Sequence, residues 1–137
     1  MATVIADTGF IVAVANEYDS RHKDCKEVYV NYAEILLPQT TLAEVAYLVE
    51  KKLGSKAIAR FLQRLPNSRL QMTALTESDI SRTAEILNQY ADSRIDFVDA
   101  SVMAMAERFR IEKILTIDCR DFQLFRPKHC QSFALLP

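Results

Sequence analysis

The sequence predicts an α/β fold, a three-layer α/β/α sandwich built around a mostly parallel central sheet. Three observations carry this. Short apolar runs alternate with longer stretches of helical periodicity. The stretches between the runs are long enough to be crossovers, which parallel neighbours require and which are right-handed. The chain has 137 residues and is 50% hydrophobic, enough to fill one core and hardly two, so one domain over residues 1–137 is expected.

Thr3-Val4-Ile5-Ala6 is a short buried strand, and Thr8 to Asn16 is apolar enough to form a helix packed on the sheet. A second helix runs from Ser20 to about Tyr32, with Cys25, Val28, Tyr29 and Tyr32 on its inner side. Glu34-Ile35-Leu36-Leu37 forms the next strand, closed by Pro38, which has no N–H for a central ladder. A helix opens at Thr40 or Thr41. Thr41-Leu42-Ala43-Glu44 has capping-box spacing, and Gly54 ends that helix. Ser55 to Leu65 is a further helix. Pro66-Asn67-Ser68 turns the chain into a strand from Leu70 to Leu75.

Thr76-Glu77-Ser78-Asp79 starts another helix, with Ile80, Ala84, Leu87 and Tyr90 turned inward. After a polar loop, Asp96 caps a helix whose stripe is Val98, Val102, Met105 and Phe109. Lys113 to Ile117 is a strand that ends at Asp118, and Ser132 to Leu136 is a final strand. There is no internal repeat and no low-complexity tract.

Composition removes several function classes. Cys25, Cys119 and Cys130 are an odd, widely spaced set, which suits neither a disulfide framework nor a zinc cluster. His22 and His129 lie in no HExxH pattern, which argues against zinc and against histidine acid–base chemistry. No apolar run is long enough to span a bilayer and the first residues lack a basic lead, so a cytoplasmic location is expected. With a net charge of −1, the whole molecule does not attract nucleic acid at long range. Local help would have to come from Lys51, Lys52, Lys56, Arg60 and Arg64, or from Arg120, Arg126 and Lys128. Each cluster alone is also compatible with a plain solvated surface.

Four acids stand out by their place in this topology. Asp7 and Asp118 fall at strand ends, while Glu44 and Asp99 fall in the first turns of helices. Each has a structural explanation: a helix cap for Asp7, a capping box for Glu44, a first-turn charge for Asp99, a turn for Asp118. In an open parallel sheet, however, strand carboxyl ends and the following helix starts share the edge that holds the ligand crevice. No lysine or arginine adjoins these acids in sequence. Gathered carboxylates would repel one another, and a bound cation resolves that conflict. Oxygen donors with an incomplete shell suit Mg²⁺, with Mn²⁺ as a substitute.

Asp7-Thr8 after the first strand, Glu44 near a helix start, Asp99-Ala100-Ser101 and Leu115-Thr116-Ile117-Asp118 followed by Asp121-Phe122 together resemble the PIN domains. Among these, the chain is similar to the VapC-like toxins of toxin–antitoxin pairs, over nearly its full length. The resemblance implies that Asp7, Glu44, Asp99 and Asp118 are the acidic metal site, with Asp7 and Asp99 nearest the ion. Thr116 and Thr8 are secondary candidates beside it, and Asp96 is a further one that also reads as a helix cap. It also implies metal-dependent endoribonuclease activity leaving a 5′-phosphate and a 3′-hydroxyl, a cognate antitoxin and a homodimer. Two rivals come from other classes. A non-catalytic module would keep the fold and hold RNA or a protein. A receiver-like phosphoacceptor would want an acidic pair after the first strand and a lysine after the last, and a haloacid-dehalogenase-type phosphatase would want Asp-x-Asp where residue 9 is Gly.

Overall fold

The computed structural model describes residues 1–137. Five strands form one sheet in the order β3-β2-β1-β4-β5, and every neighbouring pair is parallel. In chain order they are β1 (Val4–Ala6), β2 (Ile35–Pro38), β3 (Leu70–Thr73), β4 (Lys113–Leu115) and β5 (Ala134–Leu136). The helices are α1 (Thr8–Ala15), α2 (His22–Val30), α3 (Gln39–Leu53), α4 (Ser55–Arg64), α5 (Glu77–Gln89), α6 (Phe97–Arg108) and α7 (Cys119–Leu124).

The sheet is covered on both faces because its strands alternate. Val4, Ala6, Ile35, Leu37 and Leu115 share one core with α1, α2, α3 and α4. Ile5, Leu36 and Ile114 point the other way, into a core with α5, α6 and α7. Of these eight strand side chains none is more than 4% exposed. Each larger apolar side chain so buried contributes about 1.5–3 kcal/mol. The expected sandwich forms, with a sheet that is parallel throughout. No helix is long and apolar enough to cross a membrane.

Three local departures have physical causes. First, α3 begins at Gln39, directly after Pro38, whose φ of −60° and ψ of 136° end the strand. The Thr41 hydroxyl donates back to the Pro38 carbonyl at 2.7 Å, and no side chain caps this helix. The capping box over Thr41–Glu44 therefore does not form, and Glu44 lies in the second turn. Second, Ile80 is 53% exposed and Ala84 is exposed, while Asp79, Thr83 and Ile86 form the inner face of α5. Asp79 completes a capping box with Thr76 and pairs with Arg108 Nε at 2.9 Å, and this ion pair fixes the rotation of the helix. Third, the sequence reading gives no element between Asp118 and Ser132, where the six-residue α7 is too short for an apolar period to register.

The sheet reverses direction of growth at β1. From there β2 and β3 extend to one side and β4 and β5 to the other, so the carboxyl ends of β1 and β4 flank a topological switch point. Asp7 follows β1 immediately, and Thr116 follows β4.

Candidate metal centre

Asp7 occupies the N-cap position of α1, with extended backbone, yet its side chain makes no capping hydrogen bond. Its backbone N–H donates to the Leu115 carbonyl at 2.9 Å, which fixes the residue against β4. The residue is 7% exposed, and Thr116 Oγ1 donates to its Oδ2 at 3.2 Å. Burial pushes the Asp7 pKa up to about 6, against the pull of hydrogen bonds from Thr8 and Thr116, and the charges of Glu44 and Asp118 push the same way. Asp99, half-buried, is raised by burial first and then by the charges of Asp96 and Asp7. Asp7 is thus the hub through which all four acids feel one another.

The other acids reach this hub from three elements. Glu44 accepts a hydrogen bond from Thr8 Oγ1 through its Oε1 at 2.5 Å, linking α3 to α1 beside Asp7. Asp99 is the third residue of α6 and shares a capping box with Asp96: Asp99 N–H donates to Asp96 Oδ1 at 2.9 Å, and Asp96 N–H donates to Asp99 Oδ2 at 3.4 Å. Asp96 does cap α6, as its sequence position suggests. Asp118 is exposed, precedes α7 and makes no side-chain cap. Its backbone N–H donates to Thr116 Oγ1 at 3.1 Å, so a single hydroxyl ties the Asp7 carboxylate to the Asp118 backbone.

None of the four acids forms an ion pair with a lysine or arginine. The donor set is carboxylate and hydroxyl oxygen without counter-charge, and a buried carboxylate at its centre, so its chemistry fits a hard divalent cation. As the side chains stand, no three of them close on one point at ligand distance. Two are diverted locally, Glu44 to Thr8 and Asp99 to the Asp96 backbone. Gathering a shell would take rotations of these side chains about a backbone already in place.

Two further features position the site. Thr40 Oγ1 and Ser101 Oγ are 2.7 Å apart, and because Ser101 donates to the Val98 carbonyl, Thr40 is the donor. This bond fastens the start of α3, carrying Glu44, to the start of α6, carrying Asp99. Sequence reasoning singled out Ser101 only as part of a motif and missed Thr40, since a pairing across 61 residues leaves no local signal. Gly9 is the second feature. A Cβ there would stand 2.9 Å from Ile117 Cγ1, so glycine allows α1 to approach the segment between Thr116 and Asp118.

A model of the PIN domain matches residues 4–125. The chain belongs to the PIN domain family. Ribonuclease VapC26 of Mycobacterium tuberculosis is 29% identical over 135 residues, covering 98% of this chain and 100% of that protein. The crystal structure of VapC20 from the same organism, described as a sarcin–ricin loop cleaving toxin, superposes with a TM-score of 0.75 at 20% identity. It covers 81% of this chain and 86% of VapC20. A toxin–antitoxin complex from Klebsiella pneumoniae gives a TM-score of 0.66 at 17% identity, over 87% of this chain and 89% of that one. The parallel five-stranded sheet with helices on both faces is the PIN fold.

Within this PIN domain Thr116 is the best test of how the site is held. Thr116→Val should keep the fold but leave Asp7 without its side-chain donor and free the Asp118 turn. Loss of such a supporting bond is expected to weaken metal binding about 10- to 100-fold, measured by Mn²⁺ titration. An unchanged affinity would remove Thr116 from the site.

Proposed function

We propose that residues 1–137 form one nuclease domain, a metal-dependent endoribonuclease whose ion is Mg²⁺, or Mn²⁺ in its place, held by Asp7, Glu44, Asp99 and Asp118. The observation that carries this reading is the buried Asp7 carboxylate at the switch point of the sheet, with three further acids around it and no cation paired to any of them. When bound, the ion would supply Lewis acidity toward a phosphate oxygen and a lowered pKa for an attacking water.

The chain's own residues supply geometry. The β1–β4 pairing and the Thr116 hydroxyl fix Asp7 in direction. The Thr40–Ser101 bond sets the spacing of Glu44 and Asp99 on either side of it. The Thr8 hydroxyl ties Glu44 on α3 to the residue that follows Asp7. In the hydrolysis, a water oxygen bonds to phosphorus as the bond to the 3′ oxygen breaks, leaving a 5′-phosphate, and the water's proton balances the 3′-hydroxyl. An antitoxin partner belongs to the same reading, in keeping with the Klebsiella toxin–antitoxin complex, and a homodimer is proposed with it.

The test is incubation of the purified chain with total cellular RNA and with a sarcin–ricin stem-loop, the target named for VapC20. Cleavage in Mg²⁺ or Mn²⁺ and none in EDTA is expected. Cleavage that persists in EDTA would overturn the metal mechanism, and RNA binding without cleavage in any metal would favour the non-catalytic module.

A further inference from the structure

Four carboxylates on one edge pose a problem for a polyanionic substrate. A single divalent ion still leaves the group negative, and the whole chain carries −1, so RNA has to meet cations nearby.

Most of the basic residues are engaged or remote. Arg82 and Arg108 pair with Glu107 and Asp79 at 2.7 and 2.9 Å. Arg126 Nη1 donates to the Gln123 carbonyl at 2.6 Å. Arg60 and Arg64 line a groove with Val14 and Ala15, at the end of α1 opposite Asp7. Lys51 and Lys52 sit in the last turn of α3, two turns beyond Glu44.

Of the other arginines, Arg69 donates to the Tyr32 carbonyl at 3.0 Å, Arg21 precedes α2 and Arg110 precedes β4, at its amino end; Arg94 and Arg120 are the two beside acids of the site. Arg94 lies two residues before Asp96, and Arg120 lies two residues after Asp118, so each Cα is within about 7 Å of an acid's Cα. The Arg94 side chain is 58% exposed and Arg120 is exposed. They face a common polar depression of about 400 Å³ between the loop before α6 and the start of α7. Asp121, 5% exposed, holds one oxygen 3.9 Å from Arg94 Nε. That separation is too long for a hydrogen bond, so the charge pair directs Arg94 while its N–H groups stay free. Asp92 and Asp121 offset the formal charge of the two arginines there. The depression would therefore act through directed guanidinium forks rather than through its net field, which suits a phosphodiester already drawn to the acid edge.

We propose that Arg94 and Arg120 grip the backbone phosphate of single-stranded RNA next to the scissile bond, with Asp121 a positioning residue for Arg94. This rests on the ribonuclease reading above.

The experiment measures binding of a short fluorescein-labelled single-stranded RNA, in the Asp7→Asn background so that it is not cut, across a range of salt. Adding Arg94→Ala and Arg120→Ala should flatten the slope of log affinity against log salt by about 0.7, since the two share one phosphate and each phosphate neutralised on a single strand accounts for about that much. In the active protein the same pair should raise KM at least ~10-fold, with kcat and the Mn²⁺-induced rise in Tm kept. Asp121→Asn should raise KM when Arg94 is present and add nothing in the Arg94→Ala background. Arg60→Ala with Arg64→Ala should leave the slope as it was. The proposal is overturned if the Arg94/Arg120 variant keeps the parental slope, or if the Arg60/Arg64 variant loses it. A parent protein that neither binds nor cuts RNA would sink the ribonuclease reading as well, and is told apart because the failure precedes any arginine change.

Discussion

Asp7→Asn is expected to lower RNA cleavage at least ~10²–10³-fold in saturating Mg²⁺, the scale seen when a preorganised group aimed at developing charge is removed. The fold should be untouched, since the Asp7 side chain caps nothing and its backbone bond to Leu115 survives the change. Asp99→Asn should act in the same direction. Its amide would still accept the Asp96 N–H, so a loss of cleavage with helix content retained would separate a ligand role from the capping one. Wild-type rates in both variants, with the fold intact, would sink the mechanism.

The second large effect is on stability without metal. Ionised Asp7 is strained by its own burial and by Glu44 and Asp118. A pKa raised from 3.8 to about 6 corresponds to a penalty on the order of 3 kcal/mol for the charged form in the folded state. The sign follows from proton binding. The folded chain holds the proton to higher pH than the unfolded one, so this residue favours folding below about pH 4, and that advantage is lost as pH rises through about 6. Asp7→Asn should therefore raise the metal-free Tm at neutral pH by roughly 5 °C or more, and flatten the fall in stability between those limits. Divalent metal should act oppositely: at one hundred times its Kd it stabilises the native wild type by about 2.7 kcal/mol, and the variant far less. Calorimetry over pH, with and without Mn²⁺, checks both. A variant that melts lower than wild type in EDTA, or equal metal shifts in the two proteins, would rule out repulsion at this site.

The acid edge was legible in the sequence because it follows from chain order. Asp7 and Thr116 come directly after β1 and β4, and Asp99 lies in the first turn of α6, so parallel strands must present them together. Glu44 was legible in place but not in local role. Whether Thr41 caps a helix or back-bonds to Pro38 depends on where the helix begins, and the extended Pro38 conformation sets that one turn earlier than the motif suggests. On the inner face of α5, Leu87 and Tyr90 pack on the core as expected, but Ile80 and Ala84 were misread for a related reason. Periodicity favoured Ile80, whereas an ion pair to Arg108, formed across 29 residues, turned Asp79 inward.

The strand-and-helix alternation and the parallel sandwich were readable from local pattern and connection length, as were the positions of the four acids in chain order. The bond from Thr116 to Asp7, the tie of α3 to α6 through Thr40, and the depression shared by Arg94 and Arg120 came from the folded structure alone. Those relations join residues far apart in the chain through hydrogen-bond lengths and burial, and no local period encodes a distance across the sheet.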